Sequence, residues 1–485
     1  MQLWQLRRFI HQSWLIALVS VGIVLGVIMV PFVKQALFGD VIWLMAGVSL
    51  AAMVLWRKSV YLVPFMILAG VLIGLWRGSV LQSQLAGYEA LFGETVSMQG
   101  TVVDDVDTGR RGELYMRLDQ LVVNNSPMAG RMWVSARTNA SIKRGDYVGV
   151  RGVVSEGFGS FGAVIYRAEL EKWQRPEPGD VARQVRDWFA DKIRLGISEP
   201  QASLGLGYLL GQKRALPEDL QEALVVTGLT HVVVASGYNL TILVRLARRM
   251  FEKVSKYLAA LSSSVMVLAF VAVTGASPSM SRAGLVAGLS LAAWYYGRKF
   301  HPLVLLPFAA AITVMINPAF GWNDLGWQLS FAAFAGVMIL APLLQRYFFG
   351  EREPSTIRQI IGETLSAHIV TLPILILAFG QIGNVAILCN VLILPFVPLA
   401  MLLTFITGIG AIVVPDIATI LGMPAQALLV YMTETVQYFA ALPWAQTNVQ
   451  VGLWVAGIAY GVIVALCIYM ARATRYDLKE SNIVK

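Results

Sequence analysis

Residues 227–244 have the sequence TGLTHVVVASGYNLTILV, an apolar run that carries polar side chains at His231, Ser236, Asn239 and Thr241. The apolar residues predict a membrane segment. Hydrocarbon supplies no water to a buried polar group, so such groups persist in a membrane only where they face protein or a water-filled path. We therefore expect this segment, which two glycines also interrupt, to be the functional centre of the chain.

The composition of the whole chain extends that prediction. Its 485 residues are 57% hydrophobic and only 14% charged, which excludes a soluble protein and predicts a polytopic α-helical membrane protein. The net charge of +9 does not by itself indicate nucleic acid, because the cytoplasmic loops of any membrane protein collect Lys and Arg. The chain has no GxxxxGKS or GxxxxGKT motif and no histidines at metal-ligand spacing, so we expect no cofactor, no metal and no enzymatic activity.

Hydrophobic windows predict about 12 spans. The basic residues between them place both termini in the cytoplasm by the positive-inside rule. We predict a three-span anchor at residues 1–82 and a channel domain at residues 223–485. The spans predicted in the channel domain are 223–244, 258–274, 281–296, 303–316, 325–344, 360–379, 384–414, 417–441 and 451–469.

The region inserted after the third span, residues 83–176, has a different pattern. Between residues 94 and 173, β-branched runs separated by Gly, Asn and Asp turns predict about five antiparallel strands in a small extracytoplasmic all-β domain. The pattern favours an OB-like barrel, and an SH3-like spacer is the alternative. Basic and aromatic residues in it are candidates for DNA binding, although three nearby aspartates are equally consistent with a balanced solvated surface. These candidates are Arg110, Arg111, Arg131, Trp133, Lys143 and Arg144.

Residues 177–222 are amphipathic and mixed in charge, which predicts helices lying along the membrane surface or an ordinary linker pair. Further on, Pro395 and Pro398 interrupt the apolar stretch 384–414. A broken helix of this kind is a recurring feature of transport paths, so the stretch is a second candidate for the path. Two separate spans joined at the prolines are the alternative.

Neutral polar side chains on one helix face suit a conduit for a polyanion, because they bind passing phosphates without trapping them. Ser236 and Asn239 are three residues apart and share such a face, although helix-to-helix hydrogen bonding explains either residue equally well. Near the outer end, Arg282 is expected to meet phosphate, to pair with Asp324 or to extend its side chain to the membrane interface. The candidate channel-lining residues are His231, Ser236, Gly237, Asn239, Thr241, Arg282, Asp324, Gln328 and Ser330.

Four stretches in order resemble the ComEC family of competence proteins: GLTHVVVASGYN (228–239), TGASPSMSRAGLVAGL (274–289), INPAFGWNDLGWQLSFAAFAGV (316–337) and SAHIVTLPILILAFGQIGNVAILCNVLILP (366–395). The resemblance implies an inner-membrane channel that carries single-stranded DNA into the cytoplasm during natural transformation. It also implies partners: a periplasmic or surface DNA receptor, and a cytoplasmic motor ATPase or single-strand binding proteins. Many relatives add a C-terminal metallo-β-lactamase-like domain, which we expect to be lacking after the short polar tail that ends at Lys485.

Two other functions remain alternatives on the residues alone. A transporter or flippase for a small anionic solute or lipid-linked precursor would use the β domain only as a lid. An intramembrane hydrolase would use His231 and Ser236. The second is disfavoured because a helix places residues five apart about 140° from each other around its axis, and no carboxylate lies nearby in the sequence.

Overall fold

The structure is a computed structural model, and its chain divides into two compact units. The first unit comprises residues 1–180 with 303–327, and the second comprises residues 181–302 with 328–485. The residues that the structure describes are 11–33, 37–57, 60–109, 112–123, 125–212, 216–233, 237–275, 278–297, 301–352 and 354–476.

The first unit begins with the apolar helices α1 (Gln12–Met29), α2 (Val41–Arg57) and α3 (Val63–Leu85). Helices α1 and α3 pack through two pairs of glycines. A Cβ atom added at Gly22 would lie 2.9 Å from the Cα atom of Gly70, and one added at Gly26 would lie 3.0 Å from that of Gly74. Glycines four residues apart on both helices let membrane helices approach closely and gain van der Waals contact.

A closed β-barrel follows, with strands β1 (Thr95–Val102), β2 (Asp107–Thr108), β3 (Leu114–Val123), β4 (Ser126–Met128), β5 (Arg131–Ala136), β6 (Tyr147–Glu156) and β7 (Phe161–Gln174). The long strands form a ring in the order β1, β6, β7, β5, β3 and back to β1. The prediction of a small β domain is confirmed. The expectation of antiparallel pairing throughout is wrong, because β7 closes the ring by lying parallel to β5.

The barrel core follows from the two-residue period of its strands. Met116 and Leu118 of β3 and Met132 and Val134 of β5 are fully buried inside the ring. The residues between them therefore face outward on two paired strands. This alternation places the polar and aromatic side chains of β3 and β5 on a common outer surface.

The chain continues as helices to near its end. The helices after the barrel are α4 (Val181–Arg194), α5 (Gln201–Leu210), α6 (Glu218–Val226), α7 (Thr230–Val233), α8 (Gly237–Glu252), α9 (Lys256–Thr274), α10 (Pro278–Tyr295), α11 (Pro302–Ile316), α12 (Ala319–Asn323), α13 (Leu325–Ala335), α14 (Ala341–Phe349), α15 (Thr356–Phe379), α16 (Ala386–Ile393), α17 (Val397–Val413), α18 (Ala418–Ala440) and α19 (Leu453–Thr474). Strands β8 (Gln381–Gly383) and β9 (Gln446–Asn448) pair antiparallel in a separate two-stranded sheet, which links the end of α15 to the segment before α19.

Among the described residues, eight helices are long and apolar enough to cross a membrane, which is fewer than the about 12 spans predicted. Helix α2 and residues 303–316 are apolar but shorter than that length. The predicted span 223–244 is not one helix, because its residues fall in α6, α7 and α8. The eight are residues 12–32, 63–91, 256–274, 325–349, 358–379, 386–413, 415–440 and 453–474.

The proline-interrupted stretch 384–414 forms one broken helix rather than a hairpin of two spans. Helix α16 passes through a single 3₁₀ turn at Leu394–Phe396 directly into α17. Pro395 lies in that turn, where the ring cannot continue an α-helical hydrogen-bond ladder. This helix belongs to the second unit, in which its buried residues pack with those of α5 and α18.

Candidate nucleic-acid interface and membrane path

The segment 227–244 changes direction at a glycine. Gly228 has a φ of +68°, a conformation that L side chains rarely adopt, and it separates α6 from α7. The Nδ1 atom of His231 lies 2.7 Å from the carbonyl oxygen of Gly228, so the imidazole ring binds the loosened backbone at the turn. His231 is itself exposed. The break therefore combines an irregular backbone with an accessible polar ring.

Asn239 holds the start of α8 against its neighbours. Its side chain is fully buried, and Nδ2 donates to the carbonyl oxygens of Tyr208 (3.0 Å) and Val232 (3.2 Å). Those acceptors lie in α5 and α7, which also approach closely where a Cβ atom at Gly207 would lie 2.7 Å from a Val233 methyl group. The amide thus ties three helices together at the break.

The other predicted residues of this segment are placed differently. Thr241 is exposed, and its hydroxyl group donates to the carbonyl oxygen of Gly237 at 2.7 Å. Gly237 is the first residue of α8. Ser236 lies outside the described residues. Thr241 is therefore accessible, whereas Asn239 two residues earlier is enclosed.

Arg282 is enclosed within the second unit. Its side chain is only 3% exposed, and its guanidinium carbon lies 5.8 Å from the centroid of the Phe331 ring. That ring belongs to α13, which also carries the half-buried Gln328 and Ser330. The cation–π contact between Arg282 and Phe331 therefore places Arg282 against α13, the helix that carries Gln328 and Ser330.

Asp324 caps a helix in the first unit. Its Oδ1 atom accepts a hydrogen bond from the backbone N–H of Trp327 at 2.6 Å, which satisfies a free donor at the start of α13. The indole Nε1 of Trp327 donates to the Thr313 hydroxyl group at 2.9 Å. The bond to Trp327 makes Asp324 the N-cap residue of α13.

Sequence reasoning missed the polar residues of α15. Helix α15 carries Glu363 and His368 within an otherwise largely apolar span. The signal was available, because His368 and Glu363 interrupt an apolar run. No group of three or more His, Cys, Asp or Glu residues that could hold a metal occurs in the part of the chain that the structure describes.

The outer surface of β3 and β5 carries an aromatic cluster around Trp133. The rings of Trp133 and Tyr115 are stacked, with centroids 5.1 Å apart and planes at 25°. Phe158 and Tyr166 contact the same indole at 5.8 Å and 5.6 Å. Phe158 and Tyr166 are about half exposed, so the cluster presents apolar rings to its surroundings. Only Trp133 was predicted. The outward positions of β3 and β7 would have indicated Tyr115 and Tyr166, whereas Phe158 lies in the loop between β6 and β7, where strand alternation gives no signal.

Basic residues surround this cluster on the same strands. Arg131 lies two residues before Trp133 on the same face of β5, and it forms a 3.1 Å ion pair with Asp119. Arg117 is the register partner of Trp133 on β3, and it pairs with Asp104 at 2.9 Å. Both arginine side chains remain partly exposed, so each has surface available to an anion.

The remaining predicted DNA-binding residues lie away from that surface or outside the described ranges. Lys143 is exposed in the loop between β5 and β6. Arg144 in the same loop is 5% exposed, and its Nε donates to Asp180 at 2.5 Å. Its charge therefore stabilises the end of the first unit. Arg110 and Arg111 fall outside the described residues.

The buried carboxylate of Asp146 organises the same loop. It is 1% exposed and accepts hydrogen bonds from the Arg175 guanidinium group, the Trp173 indole and the Lys143 backbone N–H. Burial alone would raise the pKa of Asp146, but these donors and the charge of Arg175 outweigh it and lower the pKa below its ordinary value. The carboxylate is therefore stabilised in its charged form.

The eight long apolar helices and the barrel together define the class: a polytopic membrane protein that carries a small β-barrel. Residues 208–473, more than half of the chain, match the family model described as "Competence protein". The chain belongs to this family, the ComEC family of competence proteins.

Two relatives are similar to parts of the chain. ComE operon protein 3 of Bacillus subtilis (strain 168) is 24% identical over 216 residues, which are 43% of this chain and 27% of that protein. An uncharacterized protein of Aquifex aeolicus (strain VF5) is 25% identical over 164 residues, which are 33% of this chain and 38% of that protein. The matched segments thus span well under half of either relative. No solved structure matches the chain.

Proposed function

We propose that this protein carries single-stranded DNA across the bacterial inner membrane during natural transformation. Membership of the competence family supports a role in DNA uptake. The observation that carries the finer proposal is the stacked pair Tyr115 and Trp133 on the outer surface of the barrel, with arginines on the same strands. Base stacking on aromatic rings together with backbone contact by cations is how proteins bind single strands without sequence preference.

The barrel is proposed to be an OB fold. Its five long strands are, in chain order, β1, β3, β5, β6 and β7. Around the ring they follow the order β1, β3, β5, β7, β6 and back to β1, which is first, second, third, fifth and fourth in the chain. The third and fifth of them, β5 and β7, are parallel. OB folds bind oligonucleotides on their second and third strands and on the loops after the first and fourth. Here those strands are β3 and β5, which carry Tyr115 and Trp133, and the loop after the fourth strand carries Phe158.

The path is proposed to run beside the break in segment 227–244. His231 and Thr241 are accessible there. Asn239 would hold the helices around the break in position, since its amide donates to the carbonyl oxygens of Tyr208 and Val232. Irregular backbone at membrane depth is tolerated only where it is enclosed by protein or lines a water-filled cavity.

The proposed orientation follows from the basic loops. The N-terminus, the C-terminus and the basic residues 245–256, from the end of α8 to the start of α9, would face the cytoplasm, and the barrel would face outward to receive DNA. A DNA receptor outside and a motor ATPase or single-strand binding proteins inside are the proposed partners. We propose transport rather than catalysis, with no resident cofactor.

The test is uptake of labelled DNA by a deletion strain that carries variants of this chain. Tyr115→Ala combined with Trp133→Ala should lower uptake strongly at unchanged protein abundance, because the stacking platform is lost. Tyr147→Ala on β6 serves as the matched control, because it removes an aromatic side chain whose hydroxyl group donates to Gln99 Oε1. Parental uptake by the double variant would refute the interface. No uptake defect in the deletion strain, with altered export of a lipid-linked or small anionic solute, would favour a transporter instead.

A further inference from the structure

A strongly basic corner joins α8 to α9 in the second unit. We use "α8–α9 corner" for residues 245–256, which carry five cations and one acid: Arg245, Arg248, Arg249, Glu252, Lys253 and Lys256. Arg245, Arg249 and Lys253 are exposed, as is Lys256. Glu252 is also exposed, so the corner presents a predominantly basic surface with one acid in it.

Aromatic side chains at the end of α10 hold two of these cations in place. The guanidinium carbon of Arg248 lies 5.3 Å from the centroid of the Trp294 ring, and the Lys256 ammonium group lies 5.7 Å from the rings of Trp294 and Tyr295. Arg248 is only 5% exposed and lies 3.9 Å from Glu252. Because the cations occupy this aromatic surface, the Trp294 ring is not an open platform for a nucleic-acid base.

Large apolar side chains stand exposed among the cations. Val254 is 73% exposed, Met250 64% and Tyr257 62%, and each lies within two residues of a basic side chain. A bound DNA strand would neutralise the cations but leave these side chains in water. A membrane interface accommodates both, because apolar side chains enter the acyl boundary while Lys and Arg extend to the phosphates.

We propose that the α8–α9 corner binds the phosphate headgroups of anionic phospholipids in the membrane leaflet next to it. Arg249 and Lys253 contact the phosphates, Met250 and Val254 insert beside the acyl chains, and the Trp294 contacts fix the angle between α8 and α10. Clusters of this size adjoining a membrane helix bind anionic lipid through about 1 kcal/mol per cation. The corner lies directly after the broken segment, so lipid bound here would hold the cytoplasmic end of α8 in position.

The experiment measures binding of fluorescent phosphatidylglycerol and of fluorescent phosphatidylcholine to the purified full-length protein in neutral detergent. The parental protein should prefer phosphatidylglycerol. Arg249→Gln with Lys253→Gln should weaken that lipid by roughly 25-fold, about fivefold for each cation, and leave phosphatidylcholine unchanged. Both residues are exposed, so folding should be preserved.

Arg352→Gln is the matched control, since Arg352 is an exposed cation in the turn between α14 and α15. It should retain the parental affinity for phosphatidylglycerol. Val254→Ser should weaken both lipids, because it removes an apolar contact and no charge. The proposal is overturned if the parental protein does not distinguish the two lipids, or if Arg352→Gln loses as much affinity as the double variant. It is also overturned if the double variant keeps its lipid affinity but loses binding of a single-stranded oligonucleotide.

Discussion

Trp133 and Tyr115 stack across two neighbouring strands of the barrel, although they are not direct register partners. Trp133 faces Arg117 and Tyr115 faces Ser135, so the two rings meet along the diagonal of the β3–β5 ladder. Diagonal neighbours on one sheet face lie within reach of aromatic side chains. The resulting surface is wider than either ring and is flanked by Arg117 and Arg131.

We expect Trp133→Ala to weaken binding of a single-stranded oligonucleotide to the full-length protein. Loss of one stacking platform costs about 1–3 kcal/mol of binding free energy, which corresponds to a roughly tenfold to hundredfold higher Kd. Fluorescence anisotropy at several salt concentrations measures the effect. The salt dependence should stay unchanged, because no cation is removed. Arg131→Gln should reduce that salt dependence instead, and an unaltered Kd in Trp133→Ala would exclude the cluster from the interface.

Asn239→Leu should destabilise the protein, because it removes two buried hydrogen bonds and leaves the carbonyl oxygens of Tyr208 and Val232 without that donor. Hydrogen bonds between membrane helices average about 0.6 kcal/mol each, so a total near 1 kcal/mol is expected. The thermal midpoint of the purified protein measures it. Thr241→Val is the control, since Thr241 is exposed and its hydroxyl group donates to Gly237 of its own helix. An Asn239→Leu protein with parental stability and impaired DNA uptake would support the prediction that Asn239 lines the path.

Gly70→Ala should disrupt the packing of α1 against α3. The added Cβ atom would lie 2.2 Å from the carbonyl oxygen of Val19, a backbone atom that cannot rotate away. Overpacking of this kind costs about 1–3 kcal/mol, more than the roughly 1 kcal/mol that alanine gains over glycine within a helix. Gly461→Ala in α19 meets nothing within 4 Å among the described residues and should be neutral or stabilising. Equal midpoints for the two variants would contradict the close approach.

The stability of the barrel should fall as the pH drops below about 3.9, the ordinary pKa of Asp. The pKa of Asp146 is lowered in the folded state, so its contribution is complete above the unfolded-state pKa and is lost as the pH falls through the folded-state value. Hydrogen exchange of β6 and β7, corrected for intrinsic rates, measures this loss. Asp146→Asn should exchange faster near neutral pH and show a weaker acid dependence. An unchanged acid dependence in Asp146→Asn would assign the effect to other groups.

Composition and hydrophobic periodicity by themselves determined the class of protein. Apolar runs long enough for a bilayer admit only helices or closed barrels, because every backbone polar group must be satisfied internally. The inserted β domain was predictable from periodicity, since the spacing of its hydrophobic residues changes from that of a helix to every second residue. The four family-like stretches, which lie at residues 228–395, fall within the matched family region.

Only the tertiary structure decided what individual polar residues do. Arg144 and Trp133 were both predicted from the sequence as DNA-binding residues. In the structure Arg144 is buried and paired with Asp180, whereas Trp133 belongs to a partly exposed aromatic cluster with Tyr115. Periodicity reports which face of a strand a residue occupies, but not which distant segment covers that face. The same limit applies to Asn239, whose acceptor Tyr208 lies 31 residues away along the chain. Long-range pairing leaves no local signature, so its outcome depends on how the helices pack.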